Sequence, residues 1–377
     1  MNKLSAVLVI ASLAGSATGN AQQNVSNVDG GRVDSDGAVH LPSMTVPFSS
    51  LASEEAKTNF LEFIQAFASL REGGGNSGDI NEFRKRLDDR LIRPGVEKLS
   101  AAFPVRIKAE TIGGVRTDVI VPVEGIARKN RQRVLINLHG GGFMFGAGLG
   151  GQLESIPVAS LGAIKVISVD YREGPEYKFP AASEDVAAVY RQLLNSKYPA
   201  ENIGIYGCSA GGMLTAQSVA WFQKHGLPRP GAIGIFGAGA LVPMLGDSNY
   251  FASYLMGESP FPEDAKKFLP YFDVPGLSTR DLLVSPAYSL SVLARFPPTL
   301  IISGTRDYGL SPAVYTHAQL VKQGVDADLH VWEGTPHCSF VEGTADPRVP
   351  EIREAWDVIV KFFDSRLGRS GRGHSKE

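Results

Sequence analysis

Six short apolar runs recur between residues 134 and 332, at 134–138, 166–169, 203–206, 233–236, 299–302 and 329–332. Most of them show no polar alternation. A strand with one wet face alternates; a near-continuous apolar run is buried on both faces. Helical stretches lie between the runs, at about 181–194, 213–225 and 313–323, and a last one spans about 352–366. Strands alternating with helices are the pattern of an α/β fold, with a mostly parallel central sheet covered on both faces. Residues 105–108 and 115–123 read as two further strands, turned at Gly113-Gly114.

The rest of the 377 residues frames that sheet. With 43 % hydrophobic residues the chain can fill one large core. The first 21 residues read as a secretory signal peptide: Lys3, a short apolar run from Leu4 to Gly15, and small residues at Gly19 and Ala21. Export to the periplasm or medium is the expectation. Residues 22–44, polar and rich in glycine, read as a linker. Residues 53–70 carry Phe60, Phe63, Ile64, Phe67 and Leu70 at helical spacing, ended by Gly73-Gly74-Gly75. A second helical stretch at about 80–99 is expected to be interrupted at Pro94. Residues 367–377, basic and rich in glycine and serine, read as a disordered tail. A formal net charge of -2 gives no pull toward nucleic acid, and no segment is long and apolar enough to span a membrane. Two cysteines do not make a disulfide scaffold.

In a parallel sheet, chemistry collects at the carboxyl ends of the strands. Gly207-Cys208-Ser209-Ala210-Gly211-Gly212 follows the run at 203–206 and precedes a helix, which is where a nucleophile elbow belongs. The plainer reading is a turn whose serine caps the helix. His139-Gly140-Gly141-Gly142-Phe143 follows the run at 134–138. Glycines there let backbone N–H groups approach the negative oxygen of a tetrahedral intermediate, with the Ala210 N–H as a third donor. The alternative is a flexible loop; a phosphate cradle would need a following Gly-Lys-Ser/Thr. Asp307 follows the run at 299–302, whereas Asp326 and Asp328 precede the last run and so fall at the wrong end of the sheet. Of seven histidines, His337 is on a loop just after the last run; His330 lies within that run and His374 in the tail. The order Ser209, Asp307, His337 is that of α/β hydrolases. A histidine base acts only when unprotonated, so activity above neutral pH is expected.

These residues resemble the hormone-sensitive-lipase-like, bacterial family IV, esterases. The resemblance rests on His139 to Phe143, on Asp170-Tyr171-Arg172 with Pro175-Glu176 and Phe179 to Ala182, and on Gly207 to Gly212. Phe296 to Thr299, Asp307, and Glu333-Gly334 with Pro336-His337 extend it over about 115–345. It implies an α/β-hydrolase domain at 106–366 that acts on short-chain carboxylic esters with no cofactor or metal. It implies a Ser209–Asp307–His337 triad and oxyanion donors at Gly141, Gly142 and Ala210. It also implies a cap made from residues 45–105 and an insert at about 243–285, and members often form homodimers. Lactones, amides or peptides remain open as substrates of the same triad, and a non-catalytic binder is the remaining alternative. Three positions depart from the pattern. Cys208 stands where aspartate is common, Tyr308-Gly309-Leu310-Ser311 replaces a Pro-Leu continuation, and Cys338-Ser339-Phe340 replaces Gly-Phe. Cys208 adjoins the nucleophile and Cys338 the base, so the two thiols are expected near each other, either bonded or as separate buried groups.

Overall fold

The computed structural model describes residues 26–28, 31–71, 79–267 and 269–368, divided into two compact units between Pro47 and Phe48. The first 21 residues, read as a signal peptide, Gly73 to Gly75 and His374 lie outside the described residues. In the first unit the stretch read as a linker carries three short strands, β1 (Ser26–Val28), β2 (Gly31–Val33) and β3 (Val39–His40), paired antiparallel in that order. Two or three residues are too few for alternation to register, so only the polar composition was legible.

The second unit is built on eight strands: β4 (Val105–Ile112), β5 (Val115–Pro122), β6 (Val134–Leu138), β7 (Lys165–Val169), β8 (Ile203–Cys208), β9 (Ala232–Phe236), β10 (Thr299–Arg306) and β11 (Ala327–Pro336). Their order across the sheet is β11-β10-β9-β8-β6-β7-β5-β4. Every pair from β11 to β7 is parallel, and β5 alone runs against both neighbours. The expected mostly parallel sheet is what forms.

The helices are α1 (Glu54–Arg71), α2 (Ile80–Leu87), α3 (Arg93–Ala102), α4 (Leu149–Gly162), α5 (Ala181–Asn195), α6 (Ala210–Lys224), α7 (Asp247–Leu255), α8 (Leu290–Leu293), α9 (Leu310–Lys322) and α10 (Pro350–Arg366). Successive strand residues point to opposite faces, and both faces are covered. On one face Ile136, Ile167, Ile205, Ile235 and Ile301 pack with Val186, Leu214 and Leu320 of α5, α6 and α9. On the other, Leu135, Val166, Tyr206, Phe236 and Leu300 pack with Leu99, Ile156 and Trp356 of α3, α4 and α10. Two-sided burial is the reason the strands read as unbroken apolar runs.

Three details differ from the sequence reading. Pro94 does not interrupt a helix. It sits in the first turn of α3, where its missing N–H has no helical partner to lose, after a single wide turn at Asp88–Ile92. Helix α4 was not anticipated. Seven consecutive residues, Leu153 to Ala159, are buried, so it has no polar face, and Gly150, Gly151 and Pro157 argue locally against a helix. At the far end, Leu367 is buried and the Gly368 N–H donates to the Glu201 carbonyl at 2.9 Å. The packed body thus runs two residues into the segment read as tail.

Candidate active site

Strand β8 ends at Cys208 and α6 begins at Ala210, so Ser209 alone makes the turn. It does so at φ 56° and ψ -119°, a conformation that costs a residue with a Cβ about 1–3 kcal/mol. The Ser209 N–H donates to the Phe236 carbonyl at 2.8 Å, which ties the elbow to β9. A side chain at Gly207 or Gly211 would overlap the Leu138 carbonyl oxygen, so the two glycines let β8 and α6 close against β6. The Ser209 side chain makes no capping hydrogen bond to α6, against the plainer reading of the motif.

The glycine loop leaves the end of β6. Gly141 has φ 108°, and a Cβ there would overlap the Phe145 carbonyl oxygen. The loop curls on itself through Met144 N–H and Phe145 N–H, which both donate to the Gly141 carbonyl, at 2.9 and 3.1 Å. Beneath it lies Glu154 of α4, which the sequence reading missed. One carboxylate oxygen accepts from the Gly140 N–H at 2.7 Å, the other from Asn137 Nδ2 at 2.9 Å. Burial pushes this carboxyl up to about 8. The fully buried His139 ring stacks on Tyr171 at 4.2 Å, and burial holds it down to about 4, so it stays neutral. Among the described residues no acceptor takes the N–H of Gly141, Gly142 or Ala210, which leaves three donors for the cavity they border.

Asp307 and His337 follow β10 and β11, neighbouring strands. His337 Nδ1 lies 2.7 Å from Asp307 Oδ1, with both side chains buried. Asp307 is fixed in turn by the Ser303 hydroxyl at 2.9 Å and the Gly309 N–H at 2.7 Å. The rivals are elsewhere: Asp326 and Asp328 face Arg366, and His330 stacks on Trp332 within β11. The departures from the family pattern gather around the base. The Tyr308 ring stacks on His337 at 4.1 Å. Cys208 and Cys338 form a disulfide, their Cα atoms 6.2 Å apart, and Cys338 Sγ lies 3.7 Å from His337 Nε2. Trp356 Nε1 donates to the Phe340 carbonyl at 2.8 Å and holds the rest of this loop to α10.

Ser209, His337, Gly141, Gly142 and Ala210 border one cavity of about 620 Å³. That is within the range of small-molecule sites. Its outer walls are mostly apolar, with Phe63, Phe67 and Phe83 from α1 and α2 and Met256 and Phe261 from the segment after β9, beside the charged Arg86, Glu258 and Lys267. Glu342 also reaches the cavity; burial pushes its carboxyl up to about 7 against the opposing pull of His337. Every residue expected at the site borders the cavity except Asp307, which stands behind His337.

Residues 135–341 match a family model described as the α/β hydrolase fold. The chain belongs to the α/β-hydrolase family. This hydrolase is 30% identical to the crystal structure of an esterase E25, which covers 87% of this chain and 98% of that one with a TM-score of 0.73. An acetyl-hydrolase of Streptomyces hygroscopicus is 28% identical over 63% of this chain and 77% of its own length. Esterase LipU of Mycobacterium tuberculosis is 26% identical over 72% and 89%. An esterase of the bacterial hormone-sensitive lipase family, at 24% identity and a TM-score of 0.70, shares the fold over 84% of this hydrolase.

Proposed function

We propose that this carboxylic ester hydrolase is a serine esterase that cleaves short-chain esters through an acyl-enzyme. The observation that carries the reading is the 2.7 Å Asp307–His337 pair, whose histidine borders the same cavity as the strained Ser209. His337 takes the Ser209 proton as the hydroxyl attacks the ester carbonyl. Asp307 accepts from Nδ1 and so keeps Nε2 as the proton acceptor. Negative charge on the former carbonyl oxygen is met by the N–H groups of Gly141, Gly142 and Ala210, each worth about 10²–10³ in rate where such a donor has been removed. The alcohol leaves with the proton from His337. Water then attacks the acyl-enzyme through the same base and releases the acid and free Ser209.

The protein is proposed to act outside the cytoplasm. The leader-like first 21 residues and the Cys208–Cys338 disulfide, a bond favoured in oxidising compartments, support this.

Hydrolysis of p-nitrophenyl acetate, butyrate and decanoate by the purified protein, beside Ser209→Ala, tests the reading. Turnover highest on the two shorter esters and absent in the variant is expected. Equal turnover by the variant would remove Ser209 as nucleophile, and a maximum on decanoate would remove the short-chain preference.

A further inference from the structure

The cap helix α2 sends one side chain down to the catalytic domain. Arg84 Nε donates to the Met144 carbonyl at 2.7 Å, and Nη2 donates to the Gly174 carbonyl at 2.8 Å. Nη1 and Nη2 also reach the two oxygens of Glu176 at 2.7 and 2.9 Å, and Glu173 Oε2 lies 3.8 Å away. The Gly174 N–H donates to the Phe143 carbonyl at 2.7 Å. Phe143 and Met144 are the residues directly after Gly141 and Gly142. The guanidinium thus closes a ring: Met144 carbonyl, Arg84, Gly174, Phe143 carbonyl. Next to it, Phe83 of the same helix packs edge-on against Phe145 at 5.4 Å.

We infer that Arg84 is a positioning residue for the oxyanion-binding glycine loop, so that a residue of the cap sets the aim of Gly141 and Gly142. The argument rests on the esterase reading above. The inner end of the loop is fixed by Glu154 at Gly140; its outer end is held by this ring and by the buried Phe143 side chain, which stacks on Tyr271 at 4.9 Å. A planar guanidinium presents its donors in a fixed fork toward two carbonyls, whereas an ammonium carries three donors on a flexible stem and imposes no such geometry. The ion pair with Glu176 is half-exposed and contributes little by itself. The two carbonyl bonds are what the loop feels.

The test uses the full chain with three substitutions, Arg84→Met, Arg84→Lys and Glu176→Gln. Steady-state kinetics on p-nitrophenyl butyrate is read together with calorimetric binding of phenylboronic acid, which forms a tetrahedral adduct on an active serine. Arg84→Met is expected to lower kcat about 10- to 100-fold, as displaced positioning groups do, with KM within about twofold. It should weaken boronate binding by the same factor. Arg84→Lys should fall between it and the wild type, and Glu176→Gln should keep wild-type kcat and boronate affinity. Unchanged kcat in Arg84→Met would overturn the inference. So would an equal loss in Glu176→Gln, because the effect would then belong to cap docking as a whole. If Arg84→Met does not fold, Arg84→Lys decides: lowered kcat and boronate affinity support the role, wild-type values end it. A wild type silent on every ester would refute the esterase reading, while boronate binding, which needs no turnover, would still compare Arg84 with its variants.

Discussion

On one side of Ser209 the histidine loop is joined to the elbow by the covalent bond between Cys208 and Cys338, and the imidazole is wedged between Tyr308 and Asp307. On the other side the glycine loop has no covalent tie: Glu154 holds it from below, Arg84 and the Gly174 N–H hold it from above, and the buried Phe143 ring stacks on Tyr271 at 4.9 Å. The base flank is therefore locked by a covalent bond, whereas the oxyanion flank draws part of its order from Arg84 of α2. A base that must pass a proton from Ser209 to the leaving alcohol tolerates little displacement. The glycine loop is tied instead to a helix that itself lines the cavity.

The largest expected effect tests the locked flank. Asp307→Asn keeps the shape but cannot fix the imidazole tautomer, and kcat on p-nitrophenyl butyrate should fall about 10⁴-fold in a folded protein. A loss of less than about tenfold would mean that the 2.7 Å pair is not what readies the base.

Next comes the disulfide, which closes a loop of sequence separation 130. Its removal in a Cys208→Ala, Cys338→Ala double variant should cost about 2–4 kcal/mol in guanidinium denaturation. Because Cys338 adjoins the base, kcat should drop while boronate affinity, which reports the oxyanion flank, holds. If boronate affinity fell as far as kcat, the two flanks would not be separable.

The smallest effect concerns Glu154 under the glycine loop. Its carboxyl titrates at about 8 in the fold and near the ordinary carboxylate value in the unfolded chain. Between those values the folded state holds a proton that the unfolded state has released, so stability falls as pH rises from about 5 to 8. Glu173 and Glu342, both pushed up to about 7 by burial, act in the same direction. Thermal unfolding from pH 5 to 9 should show a shallower decline in Glu154→Gln than in the wild type. Parallel curves would remove Glu154 as a source of that slope.

What was legible in the sequence follows the same division. Ser209, Asp307, His337 and the glycine loop stand a few residues after apolar runs, so strand ends placed them, and the glycine motifs and the chain order picked them out from rivals. The cysteines were legible as a pair because each adjoins a candidate catalytic residue, although adjacency left open whether they bond. Glu154 was hidden because α4 has no polar stripe to announce it and breaks its own propensity with glycines and a proline. Arg84 was hidden for a different reason: two of its partners are backbone carbonyls 60 and 90 residues away, and a carbonyl carries no residue identity to read. Tyr308 was visible only as a departure from a pattern, with no sign of the ring it would cover.

The left-handed backbone of Ser209 carries a consequence for how such a chain responds to selection. Glycine at that position would relieve the steric penalty of about 1–3 kcal/mol and, on the proposed mechanism, leave an inert, sturdier protein. Heat tolerance sought without any demand for turnover would therefore drift toward deleting the nucleophile. Only continued use of the enzyme keeps a side chain in so uncomfortable a seat.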